Sequence, residues 1–314
     1  MIGFSELEEV MRDLVIIGAG PAGLSAGIYG KRAGLDTVIV DESCVGGGQV
    51  LTTYEVDNYP GLPGISGMDL GEKLKEHADK AGVTFIPAVL TGIEVNDAVK
   101  RLITSDGVIE CKTLIIATGA VHNHLGIPGE EELAGMGVSY CATCDGAFFK
   151  RRTTAVIGGG DVALEDALFL ARGCAKVYLI HRRDEFRGAA KLVKAVEETE
   201  NIEIIYDSVP DRIVGEDQVE SLVIHNVKNG QEQTIALQGV FIAVGNHPVT
   251  EYLKGTLDMD AKGYIIADET GVTNIPGVYA AGDVRTKRLR QIITAASDGA
   301  NAVQSAVDYL NTRA

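Results

Sequence analysis

The apolar and glycine positions near the start of the chain follow one clear order. The stretch "LVIIGAGPAGLSAGIYGKRAG" begins with a mostly β-branched run, Leu14 to Ile17, and continues through glycines into an alanine-rich segment. This pattern predicts a buried strand, a tight turn and a helix. Gly18, Gly20 and Gly23 form G-x-G-x-x-G between them, the context in which this motif binds a dinucleotide. Gly18 would make the turn, Gly20 would admit a pyrophosphate to the helix N-terminus, and Gly23 would let helix and strand pack closely.

The same pattern occurs a second time near the middle of the chain. In "TAVIGGGDVALEDALFLARG" the three motif positions are Gly158, Gly160 and Ala163. In both copies a second strand follows, "TVIVDE" ending at Asp41 and "KVYLIHRRDEFR" reaching His181. Each lies 23 residues after the first glycine of its copy (41 − 18 and 181 − 158). One such motif is weak evidence, but two copies with equal spacing predict two dinucleotide sites.

The two copies differ where the second strand ends. Asp41 offers a carboxylate, which suits a free ribose 2′-hydroxyl. The second copy instead offers Arg182, Arg183 and Arg187, whose guanidinium groups suit a 2′-phosphate, so we expect NADP(H) to be preferred there over NAD(H). The alternative is a solvated basic turn, and the two acidic residues among the arginines would weaken the preference.

Size and charge limit the classes of function. A chain of 314 residues allows roughly two domains of about 150 residues each. A formal net charge of −16 argues against a nucleic-acid partner, whose phosphates would be repelled. The apolar runs are strand-sized, so no segment is predicted to cross a membrane. The first residues, "MIGFSELEEVMRD", are acidic and predict no signal peptide; we therefore expect a cytoplasmic location, where paired cysteines are more often catalytic or metal-binding than structural.

Two cysteines lie at motif spacing in "SYCATCDGAFF", namely Cys141 and Cys144. A zinc site would need two more ligands at comparable spacing, and no metal site is predicted. A purely structural disulfide would gain little from so short a loop. A redox pair is favoured, because a C-x-x-C before a helix lowers a thiol pKa and speeds disulfide exchange. Asp145 would protonate the leaving thiolate if burial raises its pKa, or it would cap a helix; the sequence leaves both open.

The order of these motifs resembles that of the low-molecular-weight, NADPH-dependent thioredoxin reductases over essentially the whole chain. The matching stretches are "GAGPAG", "GGQVLTTYEVDNYPG", "ATGA", "CATCDG", "GGGDVALEDA", "HRRDEFR" and "GVYAAGDV…RQIITAASDG". The resemblance implies an α/β fold with two Rossmann-like, three-layer dinucleotide-binding domains, the second inserted into the first. Residues 1–121 and 248–314 would bind FAD, and residues 122–247 would bind NADPH and carry the C-x-x-C. It also implies a homodimer and thioredoxin, or a thioredoxin-like protein, as electron acceptor.

Site residues are implied position by position. The FAD contacts would be Gly18, Gly20, Pro21, Ala22, Gly23, Asp41, Gln49, Asn58, Thr118, Gly119, Gly282, Asp283, Arg290, Gln291 and Ile292. The NADPH contacts would be Gly158, Gly160, Asp161, Val162, Ala163, His181, Arg182, Arg183 and Arg187. Val162 departs from the family pattern, which commonly has Ser or Thr there, and its side chain cannot donate a hydrogen bond to a pyrophosphate.

The resemblance implies that electrons pass from NADPH through FAD and the Cys141–Cys144 disulfide to thioredoxin. Cys144 would stay near the flavin, and Cys141 would attack the partner's disulfide. Since the nicotinamide and the disulfide lie on one domain, either they approach opposite faces of the flavin or that domain rotates on linkers near 119–124 and 244–250; the family rotates. The alternatives are a dithiol oxidase of the same fold, a ferredoxin–NADP reductase, which would lack the C-x-x-C, and a redox sensor without turnover.

Overall fold

The computed structural model describes residues 11–53, 55–95 and 98–313. Apart from the residues outside these ranges, the chain divides into two compact units. The first unit comprises Met1–Thr53, Ile65–Val121 and His247–Ala314. The second comprises Tyr54–Gly64 and His122–Asn246.

The strands of the described chain are numbered here in chain order. They are β1 (Arg12–Ile17), β2 (Thr37–Asp41), β3 (Thr84–Pro87), β4 (Leu90–Val95), β5 (Lys100–Thr104), β6 (Gly107–Ile116), β7 (Ala120–His122), β8 (Val138–Ser139), β9 (Thr153–Ile157), β10 (Lys176–Ile180), β11 (Ile202–Ile205), β12 (Ser208–Val214), β13 (Ser221–Asn226), β14 (Glu232–Ala236), β15 (Gly239–Ile242), β16 (Asn246–Pro248) and β17 (Val278–Ala280).

The α-helices are numbered in the same way. They are α1 (Pro21–Arg32), α2 (Gly67–Lys80), α3 (Ala142–Asp145), α4 (Asp161–Ala171), α5 (Ala190–Glu197) and α6 (Ile292–Asn311). Short 3₁₀ turns cover Gly48–Thr52, Gly146–Phe149, Glu251–Leu253 and Gly282–Val284. None of the helices in the described ranges combines the length and the apolar character needed to cross a bilayer.

The first unit is built on a seven-stranded sheet. Its order is β3-β2-β1-β6-β5-β4, and β17 also pairs with β6. The strands β1, β2, β3, β6 and β17 are parallel, whereas β4 and β5 are antiparallel. Side chains alternate between the faces of β1: Leu14 and Ile16 pack with α1 and α6, and Val15 and Ile17 join an apolar cluster on the other face. Both faces are therefore buried, which is why this strand is apolar throughout.

The second unit repeats this construction around a five-stranded parallel sheet, β11-β10-β9-β15-β8. One face of the sheet packs on α4, with Val156 and Leu179 in the same cluster as Leu164. The other face packs on the antiparallel sheet β12-β13-β14 through residues such as Ile157 and Leu222. The predicted α/β fold with two units of the dinucleotide-binding type, one inserted into the other, is confirmed.

The two connections between the units run side by side. Strands β7 and β16 pair as a two-stranded sheet. Nδ1 of His122 lies 2.9 Å from Oδ1 of Asn246, and the amide of Asn123 donates to the carbonyl of Gly245. That these connections act as hinges stays a prediction.

Candidate active site

The first glycine loop joins β1 to α1, and two of its glycines are required by the chain itself. Gly18 has a φ of +102°, and a Cβ there would lie 2.5 Å from the carbonyl oxygen of Ala117. A Cβ at Gly23 would overlap with the carbonyl oxygen of Gly18. Any side chain at either position would push the helix away from the strands. These two glycines therefore set the close contact between helix and sheet that the sequence predicted.

Gly20 differs, because nothing in the described chain requires a glycine there. Its φ is −73°, which any residue adopts, and no atom lies within 4 Å of the position of a Cβ. It caps α1 without a side-chain hydrogen bond, Pro21 follows it, and the first turn contains no acidic residue. The amides at this helix end thus face outward beside a residue without a side chain. This is the arrangement a pyrophosphate needs, so the loop fits a dinucleotide.

Asp41 ends β2 and joins the glycine loop to the loop that follows β2. Its Oδ2 accepts a hydrogen bond from the amide of Ala19 at 2.9 Å. Its Oδ1 accepts from the amides of Ser43 and Cys44 and from the Ser43 hydroxyl, at 3.0 to 3.1 Å. The carboxylate therefore holds two loops together, which the sequence pattern did not indicate. Its contact with a ribose stays a prediction.

Asp283 lies in the 3₁₀ turn that follows β17. Its Oδ1 is buried and has no hydrogen-bond partner among the described residues. Burial raises the pKa of Asp283, while the charges of Lys287 and Arg290 lower it, and the net shift is upward. A buried carboxyl with a free oxygen is costly unless something else binds it. A polyhydroxyl chain, such as the ribityl chain of a flavin, fits this requirement.

A buried ionic cluster next to this turn was missed by the sequence analysis. Asp298 on α6 accepts two hydrogen bonds from Arg285, at 2.7 and 2.8 Å, and one from Lys287 at 2.8 Å. It also accepts from the amide of Gly282 at 3.0 Å. Burial raises the pKa of Asp298, but these hydrogen bonds outweigh it and hold the pKa below its ordinary value. The cluster pins the turn that carries Asp283 to α6. Nothing in the spacing of these residues signalled it.

The other predicted FAD contacts lie in loops and turns. Gln291 caps α6 in a reciprocal pair with Thr294. The guanidinium of Arg290 lies 4.0 Å from the ring centre of Tyr264. The Thr118 hydroxyl donates to the carbonyl of Val249. The remaining residues are placed as follows: Ala22 and Ile292 in the first turns of α1 and α6, Gln49 in a 3₁₀ turn, Gly119 in the turn after β6 with a φ of +72°, and Asn58 in the segment Tyr54–Gly64.

Cys141 and Cys144 form a disulfide with a Cα–Cα distance of 5.3 Å. Cys141 is the residue immediately before α3, and its carbonyl accepts from the amides of Cys144 and Asp145 at 3.2 and 3.1 Å. The short helix therefore holds the second sulfur next to the first. Among the described residues, no group of three or more His, Cys, Asp or Glu side chains could bind a metal ion.

Asp145 does not cap a helix. No side-chain capping bond is made at either helical segment that includes or follows this residue. Instead its Oδ2 accepts from the hydroxyl of Ser139 at 2.6 Å, and its Oδ1 is buried without a partner in the described chain. Burial raises the pKa of Asp145, and the Ser139 hydrogen bond only partly offsets the rise. The capping alternative is excluded, and a carboxyl that stays protonated to higher pH suits a proton donor.

The second glycine loop joins β9 to α4 and copies the open glycine of the first. No atom lies within 4 Å of a Cβ at Gly160. Ala163, at the third motif position, is fully buried, and the exposed side chain of Val162 stands in the first turn of α4. The Asp161 carboxylate accepts from the amide of Ala189 at 2.7 Å, which ties the helix start to the segment before α5.

His181 and the arginines after it have different surroundings. His181 is buried, a Cβ at Gly159 would overlap with its ring, and its Nε2 lies 3.0 Å from the carbonyl oxygen of Glu185. Burial lowers the pKa of His181, so it packs as a neutral ring. The three arginines, 182, 183 and 187, are exposed, and none forms an ion pair within the described ranges. Asp184 pairs instead with Lys228 at 3.2 Å, so this acid does not neutralise them.

The paired glycine loops and the C-x-x-C define a class of protein. The chain belongs to the pyridine nucleotide-disulphide oxidoreductase family, whose model matches residues 12–299. It therefore uses a flavin and a nicotinamide nucleotide. Within that class, the chain is 42% identical over 304 residues to a protein of Listeria innocua named thioredoxin reductase, which covers 96% of this chain and 95% of the relative.

Solved structures agree. The thioredoxin reductase of Streptococcus pyogenes matches with a TM-score of 0.93 and 44% identity, over 96% of this chain and 99% of that one. The thioredoxin reductase of Giardia duodenalis matches with a TM-score of 0.92 and 38% identity, over 96% of this chain and 100% of that one. The family and the fold predicted from the sequence are confirmed.

Proposed function

We propose that the protein passes two electrons from NADPH through FAD and the Cys141–Cys144 disulfide to thioredoxin or a thioredoxin-like protein. The prediction that the chain is an enzyme of the thioredoxin reductase kind is confirmed by its full-length relatives of that name. The observation that carries the proposed route is the disulfide itself, which lies next to a buried, partly unpartnered carboxyl at Asp145.

FAD is assigned to the domain formed by residues 1–121 and 248–314. Three observations support the assignment: the open glycine at position 20, the outward-facing amides at the start of α1, and the buried free oxygen of Asp283. The phosphates would bind at the first two features and the ribityl chain at the third. Asp41 would hold the loop that receives the adenosine end.

NADPH is assigned to the domain of residues 122–247, which carries the disulfide. The open glycine at position 160 and the start of α4 would bind its pyrophosphate. The three exposed arginines, 182, 183 and 187, have no ion-pair partner in the described chain, so their guanidinium groups are available to a 2′-phosphate. This supports NADPH over NADH as the electron donor.

A bound flavin supplies the two-electron transfer between the nicotinamide and the disulfide. Reduction breaks the Cys141–Cys144 bond, and the two sulfurs take up two electrons and two protons. Asp145 gives one proton to the thiolate that leaves, and recovers it from solvent. The Cys141 thiolate then attacks the partner's disulfide, releasing one partner sulfur. Cys144 attacks the mixed disulfide, which releases the second partner sulfur and restores the original bond.

The proposal includes a homodimer in the cytoplasm. The resemblance to the thioredoxin reductases supports the dimer, and the use of a nicotinamide nucleotide as reductant supports the location. Light scattering on the purified protein tests the first point, since the measured mass should be twice that of the chain. A mass equal to one chain would contradict it.

The proposed route is tested by anaerobic reduction. The purified yellow protein is mixed with NADPH while the flavin absorbance is followed, and oxidised thioredoxin is then added. The wild type should bleach and regain its colour as thioredoxin is reduced. A double variant, C141S/C144S, should bleach but leave thioredoxin oxidised. Cys174→Ala, which removes a buried free thiol of the same unit, should behave as the wild type.

Two outcomes would contradict the proposal. Thioredoxin reduction at the normal rate by the double serine variant would remove the disulfide from the route. A yellow protein that NADPH cannot bleach would indicate the dithiol oxidase or the redox sensor instead.

A further inference from the structure

We infer that Ser139 is a positioning residue for the proton donor: its hydroxyl fixes one oxygen of Asp145, so that the other oxygen, Oδ1, carries the proton delivered to the cysteine pair. The inference rests on the proposed function and deepens it. Ser139 was not among the residues that the sequence singled out.

Ser139 is held rigidly. It ends β8, which pairs in parallel with β15 at the edge of the second unit's parallel sheet, and only 5% of its surface is exposed. Its hydroxyl lies between the two chemical partners of the site. Oγ is 2.6 Å from Oδ2 of Asp145 and accepts a hydrogen bond from the amide of Cys141 at 3.1 Å.

The direction of the hydroxyl proton follows from these contacts. A serine hydroxyl donates one hydrogen and accepts with its lone pairs. The Cys141 amide can only donate, so it takes a lone pair. The remaining acceptors are Oδ2 of Asp145 at 2.6 Å and the carbonyl of Cys141 at 3.4 Å. The shorter contact receives the hydrogen, and Oδ2 therefore acts as an acceptor.

This leaves Oδ1 as the oxygen that binds the acidic proton. Oδ1 is buried and has no partner in the described chain. An ionised carboxylate would leave a buried, unpaired oxygen, which is costly. Protonation at Oδ1 removes that cost and creates an O–H donor, while Oδ2 keeps its bond to Ser139. One hydroxyl thus orients the acid and also holds the amide of the cysteine whose thiolate attacks the partner.

The pH dependence follows with a definite sign. The rate requires protonated Asp145, so it falls as pH rises through the pKa of this residue. Burial raises that pKa and the Ser139 hydrogen bond lowers it. Removing the hydroxyl should therefore move the alkaline limb of the profile to higher pH, by on the order of one pH unit, the effect of one hydrogen bond to a charged group. The maximal rate should fall about tenfold, because the acid loses its orientation.

The experiment compares pH–rate profiles of thioredoxin reduction by the holoenzyme. Ser139→Ala should show the shifted limb and the lower maximum, and Ser139→Thr, which keeps a hydroxyl, should restore both. Ser208→Ala is the matched control, since Ser208 is a buried serine of the same unit that donates only to the carbonyl of Tyr206. In an Asp145→Asn background, Ser139→Ala should cause no further change in the profile.

A second measurement does not depend on turnover. The reduced thiols of each variant are alkylated with iodoacetamide across the same pH range, and Ser139→Ala should shift the alkylation profile only when Asp145 is present. If the alanine variant does not fold, Ser139→Thr and Ser139→Val form a pair of equal shape that differs in the hydroxyl alone.

An unshifted limb for Ser139→Ala, or the same change in the Asp145→Asn background, would overturn the inference. A wild type that cannot reduce thioredoxin would refute the proposed function, and the alkylation profiles would still decide the role of Ser139.

Discussion

The two glycine loops of this molecule use the same backbone device with different side chains around it. Each loop follows the first strand of its motif, opens a helix, and has a glycine with no neighbour within 4 Å of a Cβ, Gly20 in one and Gly160 in the other. They differ at the third motif position, Gly23 against Ala163, and at the end of the next strand. There Asp41 is bound by loop amides, whereas the second loop has a buried histidine and free arginines. The shared backbone binds pyrophosphate, and the side chains after the second strand choose the nucleotide.

The third position should give the largest difference between the loops. In the first loop a Cβ at Gly23 would overlap with the carbonyl of Gly18, whereas the second loop already accommodates the Cβ of Ala163. Gly23→Ala should therefore lower the stability of the first unit by about 3 kcal/mol and release the flavin. Ala163→Gly should cost only about 0.5–1 kcal/mol, from backbone entropy. Chemical denaturation and the flavin content of the purified variants measure both. Equal, small effects would show that the two loops pack alike.

The arginines should give the next largest effect. Each substitution by alanine at positions 182, 183 and 187 should lower the ratio of NADPH to NADH kcat/KM about tenfold, because a charge-assisted hydrogen bond to the 2′-phosphate is lost. The matched control is Arg101→Ala, since Arg101 lies on the surface of the first unit and pairs with Glu110. The ratio should not change in this control. An unchanged ratio in the arginine variants themselves would mean that they form only a solvated turn.

Val162 should give the smallest effect. Val162→Thr adds a hydroxyl in the first turn of α4, where it can donate to the pyrophosphate of NADPH, and should lower the KM for NADPH about threefold. Val162→Ala removes apolar atoms without adding a donor and should leave KM unchanged. If both variants lower KM alike, the side chain blocks the nucleotide rather than lacking a donor.

Local pattern was enough for much of the fold. The apolar runs of β1 and β9, the glycines after them and the equal spacing to the second strand predicted two units of one type, because each signal lies within about 30 residues of chain. The C-x-x-C was likewise visible as a redox pair. The motif order then extended these signals to a family, and the comparisons confirmed it.

The sequence by itself thus determined the repeated nucleotide motif, the basic end of the second copy and the cysteine pair, since each depends on residues close together in the chain. Only the tertiary structure decided that Asp145 is held by Ser139 rather than capping a helix, and that Asp184 pairs with Lys228. It also revealed the buried cluster of Asp298. The reason is physical: the burial and the hydrogen-bond partners that set a charge or a proton come from segments that meet only when the sheets form.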